Sequence, residues 1–239
     1  HIQVASFVSP KHVPQMADSE ALFAAIRKRP GVEYTGLWLN EQGFARARAT
    51  PNIDLQGKLS LYASDAFARR NNGCSADEMA GRQRRWLDLY IEAGVPMRNA
   101  IIMAAFGCNF EGDIPPARVI SLARYAREIC AGRGQPLPQL FLADTMGWAN
   151  PDAVRRLVNE VRAAVPGSRI GLHLHDTRGL GAANVLAALD EGVDLFDSSV
   201  AGLGGCPFAA HGDRGAAGNI CTEDMVFLCH EMGIETGID

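Results

Sequence analysis

"QLFLADTMGWANPDAVRRLVNEVRAAVPGSRIGLHLHD", residues 139–176, holds one complete structural unit and shows where its chemistry gathers. The apolar run at 139–143 ends abruptly in Asp144 and Thr145. Asn150 followed by Pro151 is a helix-start signal, an amide that can cap orphan N–H groups with proline at the first helical position. Val154, Leu157, Val158, Val161 and Val165 then fall on one stripe of a 3.6-residue period. The spacing predicts a helix over 151–165, stopped by Pro166 and Gly167. A second apolar run at 169–176 ends in His173, His175 and Asp176. Strand, helix, strand, with polar residues at both strand ends, reads as a unit of a parallel sheet.

The same rhythm extends in both directions. Strand-like runs occupy 2–7, 33–39, 58–63, 97–105 and 195–202, and further helices start near Ala76, after Ser75, and near Pro116. Residues 45–55 read as a helix end and a loop. Alternation of this kind gives an α/β fold with a parallel sheet, either doubly wound or closed as a barrel. A doubly wound sheet would carry a Gly-rich turn after its first strand, whereas here the first strand leads into "VSPKHVPQ". Instead, Ser6, Asn40, Ser64, Cys108, Asp144-Thr145, His175-Asp176 and Ser198-Ser199 each close or follow a strand. Polar residues converging from many strand ends are the TIM-barrel pattern, with the chemistry at the C-terminal face. Such a barrel needs eight strands, and seven are visible in 1–239, so the expected architecture is one barrel domain lacking its N-terminal strand and helix.

Composition narrows the class. The 239 residues are 47% hydrophobic and 21% charged with a net charge of −4, ordinary for a soluble globular protein. Arg82, Arg84 and Arg85 lie beside Asp88 and Glu92 in a helical stretch, so they read as a solvated face and nucleic-acid binding is not expected. No apolar run is long enough for a membrane span. The six cysteines are scattered without CxxC spacing, which fits a reducing compartment, expected to be the cytoplasm, although an upstream targeting segment is possible.

Three groups of residues carry chemistry. Side chains alternate along a strand, so His173 and His175 share a face and form half of a metal site; an H-x-H pair by itself fits a solvated strand equally well. The glycine-rich stretch 202–219 follows the last strand and carries Cys206, either a thiol delivered by a closing loop or a small buried hydrophobe. Asn219, just before a helix capped by Thr222, could offer a carbonyl oxygen or simply form a turn. Asp144 could act as a general base, support a metal ligand, anchor a substrate or cap the turn that follows. Two imidazoles with oxygen donors favour Mg²⁺ or Mn²⁺ over a structural zinc, and such an ion suits carbon–carbon bond chemistry next to a carbonyl.

Five motifs in fixed order, "QVASFVSPKHVPQMAD", "GC-x-x-EG" at 107–112, "ADTMG" at 143–147, "HLHDT" at 173–177 and "SSVAGLGGCPFA…GN…TED" at 198–224, resemble the 3-hydroxy-3-methylglutaryl-CoA lyase family of metal-dependent TIM barrels. The resemblance implies metal ligands at His173, His175 and Asn219. It implies Cys206 as general acid, with Asp144 and His173 as further catalytic groups. It also implies substrate contacts at Gln3, Ser6, Thr145 and Asn71, an acyl-CoA thioester substrate and a homo-oligomer, dimer or tetramer. The implied reaction is retro-Claisen cleavage to acetyl-CoA and a keto acid. The family's first-strand arginine and metal-binding aspartate have no match here. Gln3 stands where the lyases have glutamate, and the stretch from Cys206 to Asn219 is longer than usual, adding His211, Asp213 and Arg214. A different 3-hydroxyacyl-CoA, a Claisen-type synthase, a biotin-dependent carboxyltransferase and a non-catalytic barrel are the competing readings.

Overall fold

A computed structural model describes residues 1–11, 13–209 and 218–238; His211, Asp213 and Arg214 lie outside the described residues. In chain order the elements are β1 (Ile2–Ser6), α1 (Ser19–Ala25), β2 (Tyr34–Leu37), α2 (Glu41–Ala49), β3 (Gly57–Tyr62), α3 (Asp65–Asn72), α4 (Ala76–Glu92) and β4 (Met97–Met103). They continue with α5 (Pro116–Ala131), β5 (Gln139–Ala143), α6 (Pro151–Ala164), β6 (Arg169–His173), α7 (Gly181–Asp190), β7 (Phe196–Asp197) and α8 (Thr222–Glu231). All seven expected strands are present. The expected last strand is cut short after Asp197, because Val200–Gly202 turns as a 3-10 helix with Ala201 at φ 54°.

The chain forms two compact units, 1–57 with 90–96, and 58–89 with 97–239. In the first, β1 and β2 pair in parallel, with an irregularity between Gln3 and Ala5. Phe7 packs on Phe23 with ring centroids 5.7 Å apart. Gly36 is required beside it, since a Cβ there would sit 2.7 Å from the Phe7 ring. The Trp38 indole donates to the Tyr90 hydroxyl at 3.0 Å, closing the polar end of an otherwise aromatic core.

The second unit is built on a five-stranded sheet in the order β3-β4-β5-β6-β7. Leu140, Leu142 and Ala143 on central β5 pair with Ile170, Leu172 and His173 on β6. Every residue of β5 is buried, as expected for a parallel strand covered on both faces. The sheet curves: Lys58, on one edge strand, feels the carboxylate of Asp197 on the other, which offsets part of the lowering that burial imposes on its ammonium. Helix α6 buries Val154, Leu157, Val158 and Val161, the stripe read from the sequence. Each such side chain contributes about 1.5–3 kcal/mol of apolar burial.

Two of the polar strand-end residues, Asn40 and Ser64, serve as helix caps, and Asn150 caps α6 as expected. The side chains of Asn40, Ser64 and Asn150 accept from the N–H groups of Gly43, Phe67 and Ala153. Thr222 does not cap α8 as expected. It is the first helical residue, Cys221 holds the cap position without a side-chain bond, and the Thr222 hydroxyl instead meets Ser198 at 2.8 Å. Among the described residues no helix is long and apolar enough to cross a membrane.

Candidate active site

The pleat that brings His173 and His175 to one face leaves their rings 5.0 Å apart, with the two Nε2 atoms separated by 3.2 Å. His175 Nδ1 lies 2.7 Å from the Thr145 carbonyl. A carbonyl only accepts, so Nδ1 carries the proton and the His175 Nε2 lone pair faces His173. Burial, aided by the neighbouring His173, pushes the His175 pKa down to about 4, so the ring is neutral at physiological pH. Beside His173, Asp197 Oδ2 lies 3.8 Å from Nδ1, placed there by the β6–β7 register.

Asn219 is brought to the rings by the backbone. Residues 218–221 run extended, with Asp176 N–H donating to the Gly218 carbonyl and Ile220 N–H to the Leu174 carbonyl. Ser199 N–H donates to Ile220 O on the other side. Residue 219 thereby bridges to His175. The Asn219 amide nitrogen donates to Ser199 Oγ and to the Leu203 carbonyl, both at 2.8 Å. This fixes the orientation of the amide and leaves Oδ1 buried without a hydrogen bond of normal geometry. The Asn219 side chain still weakly favours a charged His175, against the dominant effect of burial. Two converging imidazole nitrogens and a buried amide oxygen with no donor fit a divalent cation. Among the described residues no group of three His, Cys, Asp or Glu does so.

Asp144 closes β5 and is 1% exposed. Its Oδ1 accepts from Trp148 N–H at 2.6 Å, whereas Oδ2 is buried without a partner. Burial pushes its pKa up to about 6, against the backbone N–H groups of Ala149 and Trp148 and the charge of Arg178. Asp144 therefore caps the turn, one of the roles open to it, and its raised pKa of about 6 leaves a carboxylate at neutral pH that can accept a proton.

Cys206 joins more core than its glycine-flanked setting suggested. It packs against an apolar cluster that includes Tyr62, Phe67, Cys108 and Met146. Burial pushes its thiol pKa up, so the group is protonated at neutral pH. Of the expected substrate contacts, Thr145 is buried and its hydroxyl accepts from Ala104 N–H at 2.8 Å. The Asn71 amide donates to the Tyr62 hydroxyl at 3.1 Å. Gln3 and Ser6 lie on β1 of the first unit.

Comparison with known proteins decides the family. The HMGL-like family model matches residues 13–239. The chain belongs to the HMGL-like family. It is 40% identical over 239 residues to the 3-hydroxy-3-isohexenylglutaryl-CoA/hydroxy-methylglutaryl-CoA lyase of Pseudomonas aeruginosa, covering 100% of this chain and 75% of that protein. The crystal structure of hydroxymethylglutaryl-CoA lyase from Pseudomonas aeruginosa matches with a TM-score of 0.88 at 40% identity, over 100% of this chain and 75% of that one. An HMG-CoA lyase from Acinetobacter baumannii, solved with coenzyme A and 3-methylmalate, matches at 0.85 and 37% identity, over 100% and 73%. The fold is the TIM-barrel type of these lyases, as the strand ends suggested. The HMGL-like family is in general divalent-metal dependent, which agrees with the donor set assembled here.

Ser199, read from the sequence only as a polar strand-end residue, orients the Asn219 amide, and Asp197, which sequence reasoning missed, stands behind His173. Both lie in "DSS" at 197–199, where a strand end beside β6 was the available signal. Asn109 and Trp148 had no local signal at all.

Proposed function

We propose that this protein is a metal-dependent carbon–carbon lyase. In this reading it cleaves 3-hydroxy-3-methylglutaryl-CoA, or a close 3-hydroxyacyl-CoA, to acetyl-CoA and a keto acid, acetoacetate for the parent substrate. The observation that carries the reading is the convergence of His173 Nε2, His175 Nε2 and Asn219 Oδ1 in a chain 40% identical to a lyase of that name. These three residues would hold the ion, Mg²⁺ or Mn²⁺ by the hardness of the set. When bound, a divalent ion supplies a Lewis acid that acidifies the substrate hydroxyl.

The chain's own residues supply the proton transfers. Asp144, with a pKa of about 6 and an unpartnered Oδ2, takes the 3-hydroxyl proton. The C–O bond becomes a carbonyl and the C2–C3 bond breaks. Its electron pair stays on the thioester fragment as an enolate. The protonated Cys206 thiol donates to that carbon, leaving a thiolate that recovers its proton from solvent. His173 and His175 orient through Asp197 and the Thr145 carbonyl. All six cysteines are free, which supports a reducing compartment such as the cytoplasm. A homo-oligomeric assembly belongs to the same reading.

The test is a panel of 3-hydroxyacyl-CoA thioesters bearing a free carboxylate, assayed with Mn²⁺ or Mg²⁺ for acetyl-CoA release. A thioester carrying the longer isohexenyl branch belongs in the panel, because the Pseudomonas aeruginosa relative is named for both substrates. Release from one or more members is the expected result. Release from none would favour a non-catalytic, ligand-binding barrel.

A further inference from the structure

Cys206 opens a short 3-10 turn, Pro207–Ala209, in which Ala209 N–H donates to the Cys206 carbonyl at 3.0 Å. Upstream, Gly202, Gly204 and Gly205 all take positive φ values of 63°, 84° and 120°. These glycines restrain the backbone little, so the position of the sulfur depends on what fastens the turn itself.

Two contacts fasten it. The Phe208 ring meets Phe67 and Phe110 edge-on, at centroid distances of 5.8 and 6.1 Å, and the Arg70 guanidinium covers Phe110 at 4.1 Å. The Phe208 carbonyl accepts from Asn109 Nδ2 at 3.0 Å. The other end of the same amide, Oδ1, accepts from the Trp148 indole at 2.8 Å. A carbonyl only accepts and an indole N–H only donates, so the orientation of the Asn109 amide is fixed from both sides. Trp148 N–H in turn donates to Asp144 Oδ1 at 2.6 Å. Arg178 braces the intervening turn through the Met146 and Gly147 carbonyls, at 2.9 and 2.6 Å, with its guanidinium 5.4 Å over the Trp148 ring. The hydrogen bonds thus run unbroken from Asp144 through Trp148 and Asn109 to the Phe208 carbonyl, two residues beyond Cys206.

We infer that Asn109 is a positioning residue, a tie that holds the Cys206 thiol at a fixed place relative to Asp144. Its catalytic consequence rests on the reading of Cys206 as proton donor, whereas the tie itself does not. Asn109→Asp keeps an oxygen for the Trp148 indole but sets a carboxylate oxygen against the Phe208 carbonyl. Trp148→Phe removes the indole donor and serves as the second variant. In the intact protein, iodoacetamide labelling of Cys206 is followed by peptide mass spectrometry, with half-exposed Cys221 as internal reference. Loss of one such bond predicts labelling of Cys206 about three- to tenfold faster. Cys221 should be unchanged, Mn²⁺ affinity and KM unaltered, and kcat lowered. Wild-type labelling rates in both variants, or a parallel rise at Cys221, would overturn the tie. Faster Cys206 labelling with unchanged kcat would uphold the tie and overturn the proton-donor role instead.

Discussion

Replacing Asp144 with asparagine separates the electrostatic cost of this carboxyl from its packing. The side chain is 1% exposed and Oδ2 has no hydrogen-bond partner. Burial raises its pKa from 3.8 to about 6 although Trp148, Ala149 and Arg178 pull the other way. The folded value lies above the unfolded one, so over this range the folded state binds more protons than the unfolded state. Stability then falls as pH rises from 3.8 through about 6, and levels off above it. The full cost at high pH is about 3 kcal/mol, of which about half develops between about pH 5 and about pH 8. Asparagine is neutral throughout and keeps an oxygen for the Trp148 N–H. Relative to wild type, Asp144→Asn is therefore expected to gain about half that cost on moving from the lower pH to the higher. In a chain of this length that is a relative Tm gain of roughly 3–6 °C. Thermal unfolding followed by circular dichroism at the two pH values measures it. A Tm difference between variant and wild type that is the same at both would refute the argument.

Other substitutions probe the surroundings. At Gly147 the backbone has φ 67°, and an added Cβ would lie 2.5 Å from Thr177 Cβ. Gly147→Ala should cost about 1–3 kcal/mol in urea unfolding, and a neutral result would mean that the turn after Asp144 is not constrained. An added Cβ at Gly171 would meet the Phe141 ring at 2.8 Å and Leu195 at 3.0 Å. Gly171→Ala is thus expected to lose about 1–3 kcal/mol by overpacking the sheet, an account that an unchanged urea midpoint would contradict. Cys206→Ser offers a far poorer acid of similar size, so kcat should fall by about 10²–10⁴-fold while Mn²⁺ binding persists. Near-normal turnover would reduce Cys206 to a packing residue.

Features encoded locally were legible from the chain. The α6 stripe, its Asn150 cap and the pairing of His173 with His175 all depend on periods of 3.6 or 2 within a few residues. Asn219 was legible as a candidate oxygen donor. What the sequence left open was whether its oxygen is free, and that depends on Ser199 and Leu203 occupying the amide nitrogen. The Asn109–Phe208 bond joins residues 99 positions apart. No periodicity reports such a contact, because it arises only when separate loops meet above the strand ends. The same reason hid the apolar cluster behind Cys206: a thiol between glycine and proline looks exposed until Phe67, Cys108 and Met146 are folded against it.

The central claim is that two imidazole nitrogens and one amide oxygen form a single cation site. Titration of the protein with Mn²⁺, followed by electron paramagnetic resonance of the free ion, tests it when wild type and His175→Ala are compared side by side. Loss of even a residue that merely supports a ligand costs about 10–100-fold in metal affinity, so removal of a ligand should weaken binding by about tenfold or more. Superimposable binding curves for the two proteins would contradict the account.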